Sequence, residues 1–417
     1  MRIKSIKKIS ACRICHASNL YDFLILGDLP IPNGFVKKVD LNKEEERYPL
    51  VVTFCQDCNL VQLRYIVDPK IMFDNYLYIP SSSRTRIEHF KQMVQEVTET
   101  LNLDESSFAV DIGSNDGSLL NCFKNLGIPV LGVDPAKNLV KVAELNGIET
   151  VCGYYDSVLA KKILEKHCRA SVIFATNVVA HIGNLYNFFK AVDILLDKKG
   201  IFVCQFPYIL DLIEQNQFDT IYHEHLSYFG LKPLLKLAEK LPIEIYKVKR
   251  NSLDGGSVRV YWKKKNNYSF KIEQAEINKL LKLEKQKGLY NKKTYDEFAK
   301  RIKKLKLATR QKLKALKKVK KSIVGYGAAA KGNILLNYFG IGTKILDYVV
   351  DSTPYKQGLY MSGTHIPIFD ESRIYQTHPD YILILAWNFK DEIMSKNKRF
   401  KDEGGKFIVP VPQFHIV

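Results

Sequence analysis

No stretch of the 417 residues approaches the ~20 consecutive apolar residues of a membrane span, which argues against an integral membrane protein. A secretory leader is not expected either. The start is basic (Arg2, Lys4, Lys7, Lys8), but the residues after it, Ile9-Ser10-Ala11-Cys12-Arg13, provide no apolar core, so a cytoplasmic location is expected. Acid is scarce, with 44 Asp and Glu against 63 Lys and Arg, and a net charge of +19 suggests a nucleic-acid partner. Its location weakens that reading. The segment from Lys263 to Lys321 holds 22 Lys and Arg against 5 Asp and Glu, and so carries 17 of the 19 charges. Within it Tyr295, Phe298, Ile302, Leu305, Leu313 and Leu316 fall largely at helical spacing, as expected for a helix with a solvated lysine face. An anionic-partner surface is the alternative. The zinc-protease spacing His-Glu-x-x-His is also missing.

Of eight cysteines, Cys122, Cys152, Cys168 and Cys204 are isolated and expected to be reduced thiols. The other four are paired. Cys12-x-x-Cys15 and Cys55-x-x-Cys58 are two knuckles that together supply four thiolates, a closed tetrahedral Zn²⁺ site with a structural role. His16 is then a bystander. The 39 residues between the knuckles exceed ordinary ribbon spacing and imply an inserted segment. Zinc ribbons also bind nucleic acid, but the loops here lack clustered basic residues with interleaved aromatics. The run Tyr76-Leu77-Tyr78-Ile79-Pro80-Ser81-Ser82-Ser83 reads either as a polar loop on a site wall or as plain surface.

Phe108 to Leu120 reads as a buried strand, a glycine turn and the start of a helix. The next strand, Val130 to Val133, ends at Asp134-Pro135, where an acid binds ribose hydroxyls in doubly wound folds. The turn around Asp111, Gly113, Asn115, Asp116 and Gly117 has the order Asp-x-Gly-x-x-x-Gly. It resembles the S-adenosylmethionine loop of class I methyltransferases. Further strands are expected at 171–175 and 200–204, and an antiparallel pair at 243–246 and 257–261 closes the domain near residue 267. Asn177 and His181 follow a strand's carboxyl end, where such sheets bind ligands.

Tyr222-His223-Glu224-His225 places four titratable side chains in succession. Extended backbone would put His223 and His225 on one side of a strand. Metal ligation and a buried structural network are possible roles. A histidine beside a carboxylate and a phenol is also the minimum equipment for removing a weakly acidic proton near pH 7. Beside S-adenosylmethionine, such a base points to methylation of carbon, which needs a carbanion equivalent.

A second strand-turn-helix fingerprint carries Gly325, Gly327 and Ala330, with Asp351 ending a later strand. Alone it suggests NAD; Lys331-Gly332-Asn333 equally suits another nucleotide's phosphates. The whole chain resembles the sugar C-methyltransferases of deoxysugar pathways, which methylate C3 of nucleotide-linked 4-keto sugars. The resemblance is carried by the cysteine quartet, Pro32-Asn33-Gly34-Phe35, Tyr76-x-Tyr78, the glycine turn, Asn177-x-x-x-His181, Tyr222-x-Glu224-His225 and Gly325 to Asn333.

That resemblance implies His225 as base, supported by Glu224 and Tyr222, with Tyr76 near the transferring methyl and His181 in the same catalytic group. It implies a cofactor site at Asp111, Gly113, Asn115, Asp116, Gly117, Asp134, Pro135 and Asn177. Asn33, Tyr78, Lys331 and Asn333 would hold a nucleotide-linked keto sugar. The implied architecture is α/β throughout: a zinc-binding module (1–80), a doubly wound methyltransferase domain (81–267) and a smaller Rossmann-like domain (268–417). A monomer or small homo-oligomer without nucleic-acid or membrane partners is expected. Gln205 and Asp254 depart from the pattern, at positions where an acid and a histidine are common, and bear on the choice of acceptor. An O-methyltransferase, an NAD-dependent sugar oxidoreductase and a zinc-ribbon nucleic-acid-binding protein are the alternatives.

Overall fold

The computed structural model describes residues 6–417, so Arg2 and Lys4 lie outside the described residues. At its centre is a seven-stranded sheet in the spatial order Ile243–Asn251, Ser257–Lys264, Leu196–Pro207, Ala170–Thr176, Ala109–Ile112, Val130–Asp134, Thr150–Cys152. The last five pair in parallel and the first two antiparallel, the doubly wound arrangement with a terminal antiparallel pair. The strands are apolar because helices cover both faces; Val110, Leu131, Ile173 and Val203 have no exposed surface. Strand order reverses beside Ala109–Ile112, and the carboxyl ends there open the crevice that holds the site.

The N-terminal sheet is antiparallel and runs Ser227–Tyr228, Val61–Leu63, Tyr48–Cys55, Leu20–Leu29. Its first strand is donated from far downstream, Ser227 pairing with Gln62, so the segment that carries the titratable cluster ends inside the zinc module's own sheet. The expected strand through His223 and His225 is replaced by a tight turn, in which His225 N–H donates to Tyr222 O at 2.9 Å. The two histidines therefore point to different partners. The C-terminal sheet, in the order Ile368–Phe369, Val349–Val350, Ile323–Tyr326, Tyr381–Ile384, Lys406–Val409, His415–Ile416, is parallel except for the last strand.

The basic segment forms two helices, Gln274–Gln286 and Lys292–Lys318. In the longer one Tyr295, Phe298, Ile302, Leu305 and Leu313 are buried. Tyr295 packs on Phe54 and Phe23 of the N-terminal sheet, with ring centroids 4.5 and 5.0 Å apart. Most of the lysines lie on the opposite, solvated face. No helix among the described residues is long and apolar enough to cross a membrane.

Candidate active site

A cavity of about 490 Å³ lies where the central sheet's carboxyl ends, the 73–86 segment and the C-terminal domain meet. At the cofactor end Gly113 takes φ +70, and a Cβ there would sit 2.4 Å from Val178 Cγ2, so only glycine gives this backbone approach. Asp134 Oδ2 accepts from Asn115 N–H (2.9 Å) and Oδ1 from Ala136 N–H (2.8 Å). The carboxylate is thereby aimed, with lone pairs left for a ribose diol. Pro135 and Ala136 line the same wall. Asp111 is buried, its Oδ1 without a partner among the described residues, and burial, reinforced by Asp134 and Asp116, pushes its carboxyl up to about 8. Asn177 stands at φ +58, with Nδ2 on Asp254 Oδ2 (3.2 Å) and its buried Oδ1 free of partners among the described residues. A glycine cradle, an aimed carboxylate and orphaned acceptors fit a cationic amino-acid group attached to a nucleoside.

Asp116 and Gly117 do not line the cavity. Asp116 accepts from Ser118 N–H and Oγ–H and from Ser81 N–H, and so ties the glycine turn to the serine loop. Tyr78 lines the wall and its carbonyl accepts from Asn115 Nδ2 (3.0 Å). The 76–83 run is therefore a site wall.

On the cavity wall, His225 Nδ1–H donates to Thr220 O at 2.8 Å, which assigns the proton to Nδ1 and leaves Nε2 a lone pair. Its ring lies against Tyr222 (3.9 Å) and stacks on His181 (5.1 Å), which in turn stacks on Phe73 (5.4 Å). Burial holds His225 well below the usual imidazole range, with His181 and Lys331 pushing the same way. His181 is lowered to about 4 by burial, and its Nε2 has no partner among the described residues. Glu224 does not touch His225. It accepts instead from Asn33 Nδ2 (2.6 Å) and Tyr76 O–H (2.9 Å); burial pushes it up to about 7 against those two donors. His223 faces the other way, with Nε2–H on Tyr48 O at 3.0 Å.

The four knuckle sulfurs lie within 4.8 Å of one another, with Cys12–Cys58 and Cys15–Cys55 both at 3.5 Å. Those separations are far beyond a disulfide bond. They approach the edge of about 3.8 Å that four Zn–S bonds of 2.3 Å produce in a tetrahedron.

Three domain families match the chain in order: a zinc binding domain over residues 12–73, a methyltransferase domain over 85–246 and a C-methyltransferase C-terminal domain over 252–412. The C-methyltransferase NovU of Streptomyces niveus is 32% identical over 99% of this chain and 98% of its own length. The chain belongs to the C-methyltransferase family. A ubiquinone biosynthesis O-methyltransferase of Bartonella bacilliformis is 25% identical over 28% of this chain and 49% of its own length. Among solved structures, a methyltransferase from Anabaena variabilis (14% identity, 42% of this chain and 84% of that one) gives a TM-score of 0.34. The PH0226 protein of Pyrococcus horikoshii (13%, 47% and 98%) gives 0.37.

This C-methyltransferase thus uses S-adenosylmethionine and carries zinc at Cys12, Cys15, Cys55 and Cys58. Its C-terminal fingerprint belongs to the same enzyme. Asp351 accepts from Ala328 N–H (2.7 Å) and Thr353 N–H (2.8 Å), the same two-amide hold that Asp134 has, and lines the same cavity. Lys331 reaches the cavity, with Nζ on Asp254 O (3.0 Å) and 4.9 Å above the Trp387 ring. Asn333 does not line it: Nδ2 donates to Pro32 O (3.1 Å) and Ser362 Oγ (2.7 Å), clamping the loop that presents Asn33.

Sequence reasoning missed Arg86, whose guanidinium pairs with Asp254 at 2.5 Å and lies 5.8 Å over Tyr78. Only its position just inside a helix that follows a serine cluster hinted at it. The two departures from the family pattern differ in kind. Asp254 is a cavity-wall anion held between Arg86 and Asn177, whereas Gln205 lies off the cavity and accepts from Arg259, Asn251 and His89.

Proposed function

We propose that this C-methyltransferase acts on a nucleotide-linked 4-keto-6-deoxy sugar at the carbon next to the ketone, through an enolate generated by His225. The observation that carries this reading is the bare Nε2 of a neutral, buried imidazole on the wall of the cavity that holds the S-adenosylmethionine turn. A carbon beside a ketone becomes nucleophilic only after losing a proton, and a neutral histidine can accept it.

His225 rests neutral because its charged form is desolvated and faces Lys331. A developing enolate reverses that balance, since opposite charges in a dry cavity favour each other. Tyr222 places a phenol group against the His225 ring, as a donor for the enolate oxygen, while the Tyr76 O–H is committed to Glu224. Arg86, Lys331 and Lys356 line the cavity and supply positive charge for a diphosphate. S-adenosylmethionine, bound at the glycine turn, supplies an electrophilic methyl group. The acceptor is a small molecule, and a reduced thiolate quartet suits a cytoplasmic setting.

The test is mass spectrometry of nucleotide-linked keto sugars incubated with the enzyme in deuterated water. One deuterium exchanged beside the ketone without S-adenosylmethionine, and a methyl gained with it, are the expected results. His225→Ala should lower turnover by ~10²- to 10⁴-fold with S-adenosylmethionine affinity intact. Near-parental turnover in that variant would remove His225 from the reaction.

A further inference from the structure

The zinc module and the catalytic turn are joined through one side chain. Arg13 lies inside the first knuckle, between Cys12 and Cys15, and is buried. Its Nη1 donates to Leu226 O at 2.9 Å and to Gln62 Oε1 at 3.1 Å, and its Nη2 to Leu63 O at 3.0 Å. Its backbone N–H also donates to Gln62 Oε1 (3.2 Å). Leu226 O, which also accepts from Leu63 N–H (3.0 Å), belongs to the residue directly after His225. The strand that anchors this turn in the N-terminal sheet is only two residues long, Ser227–Tyr228. Two residues of pairing are a weak hold, and Arg13 doubles the grip on the carbonyl that follows the base.

We infer that Arg13 is a positioning residue that transmits the geometry of the zinc knuckle to the backbone of the catalytic turn and so sets where His225 Nε2 stands. Three features support this role. A planar guanidinium bridges two carbonyls and an amide oxygen in one fork, which a lysine ammonium cannot reproduce. With the knuckle closed by metal, the backbone that carries Arg13 is held by thiolates on either side and has little freedom to follow a shifting turn. The knuckle is braced against the methyltransferase domain as well, since Tyr186 O–H donates to Ile14 O at 2.7 Å. The zinc site then acts on the chemistry through placement, and misplacement by about 1 Å costs on the order of 10²-fold in rate.

The part of this inference that concerns turnover rests on the His225 reading above; the part that concerns the turn does not, and the experiment separates them. Zinc-loaded Arg13→Ala and Arg13→Lys are compared with the parent by hydrogen exchange of the peptide covering 222–228, S-adenosylmethionine titration calorimetry, zinc content and steady-state kinetics. Expected in Arg13→Ala are one zinc per chain, parental S-adenosylmethionine affinity, and exchange at 222–228 faster by roughly tenfold, as for one lost charge-assisted hydrogen bond. Turnover should fall by ~10²-fold with KM nearly unchanged, and Arg13→Lys should recover part of it.

Parental exchange at 222–228 in zinc-loaded Arg13→Ala overturns the inference whatever the acceptor is. Turnover within threefold of the parent, with exchange faster, overturns the part that concerns turnover. If Arg13→Ala does not fold, the parent stripped of zinc by a chelator serves instead, and unchanged exchange at 222–228 there is equally fatal. Faster exchange combined with an unaffected proton-transfer step would count against His225 and leave the role of Arg13 in the turn intact.

Discussion

At the scale of single residues the site separates two groups that stand side by side in the chain. His225 is tied to Thr220 and presents Nε2 to the cavity, while Glu224 is tied to Asn33 and Tyr76. The two therefore titrate in different places. Glu224 is pushed up to about 7, and its ionised form is the one that accepts both hydrogen bonds, so lowering the pH through 7 should abolish it. The acid limb of kcat/KM is expected near pH 7. Glu224→Gln should remove that limb and leave only the limb of His225, well below pH 6.5. Asn33→Ala, by removing a donor to the carboxylate, should move the limb upward. pH profiles of the three proteins decide this; a limb near 7 that survives in Glu224→Gln would show that the carboxylate does not set it.

At the scale of elements, one buried carboxylate organises three segments. Glu284 has no exposed surface and accepts from Leu231 N–H (2.5 Å), Tyr208 O–H (2.7 Å) and Tyr290 O–H (2.8 Å). The helix Leu231–Ala238 has no side-chain cap of its own, and Glu284 satisfies its first amide from the neighbouring helix Gln274–Gln286. Glu284→Ala would leave Tyr208 O–H and the Leu231 and Lys232 amides without this acceptor, and Tyr290 O–H with only a long contact to Leu281 O. A loss of about 3 kcal/mol or more is expected in urea unfolding, with a smaller loss for Glu284→Gln, which keeps one acceptor. Equal stability in all three proteins would mean that water replaces the carboxylate at no cost. The basic segment also belongs at this scale: its apolar stripe was legible from helical spacing, but the surface it covers, the Phe54 and Phe23 face of the N-terminal sheet, was not.

At the scale of the whole molecule, buried neutral histidines contribute stability that is lost with acid, while the raised carboxyls of Glu224 and Asp111 act in the opposite sense over the same range. His181 and His223 are both lowered to about 4 by burial, whereas in the unfolded chain they bind protons near 6.5. Between those values these two side chains bind more protons in the unfolded state, so their contribution to stability falls as the pH drops from 6.5 to 4 and changes little below that. The loss amounts to about 3 kcal/mol per histidine. Denaturant unfolding at pH 7 and pH 4.5 measures it, and His223→Gln should flatten the dependence; a dependence as steep as the parent's would assign it elsewhere.

The sequence alone determined what depends on neighbours in the chain. The zinc ligands, the glycine turn with its acid at the end of the next strand, the antiparallel pair and the apolar stripe of the long helix are all local patterns, whose spacing carries their chemistry. Tertiary structure alone decided what depends on partners far away. Glu224 turned from His225 towards Asn33, 191 residues earlier, Asn333 clamps the loop at Pro32, and Arg86 found Asp254. A buried polar group must satisfy its hydrogen bonds wherever the fold supplies a partner, and no periodicity records that choice.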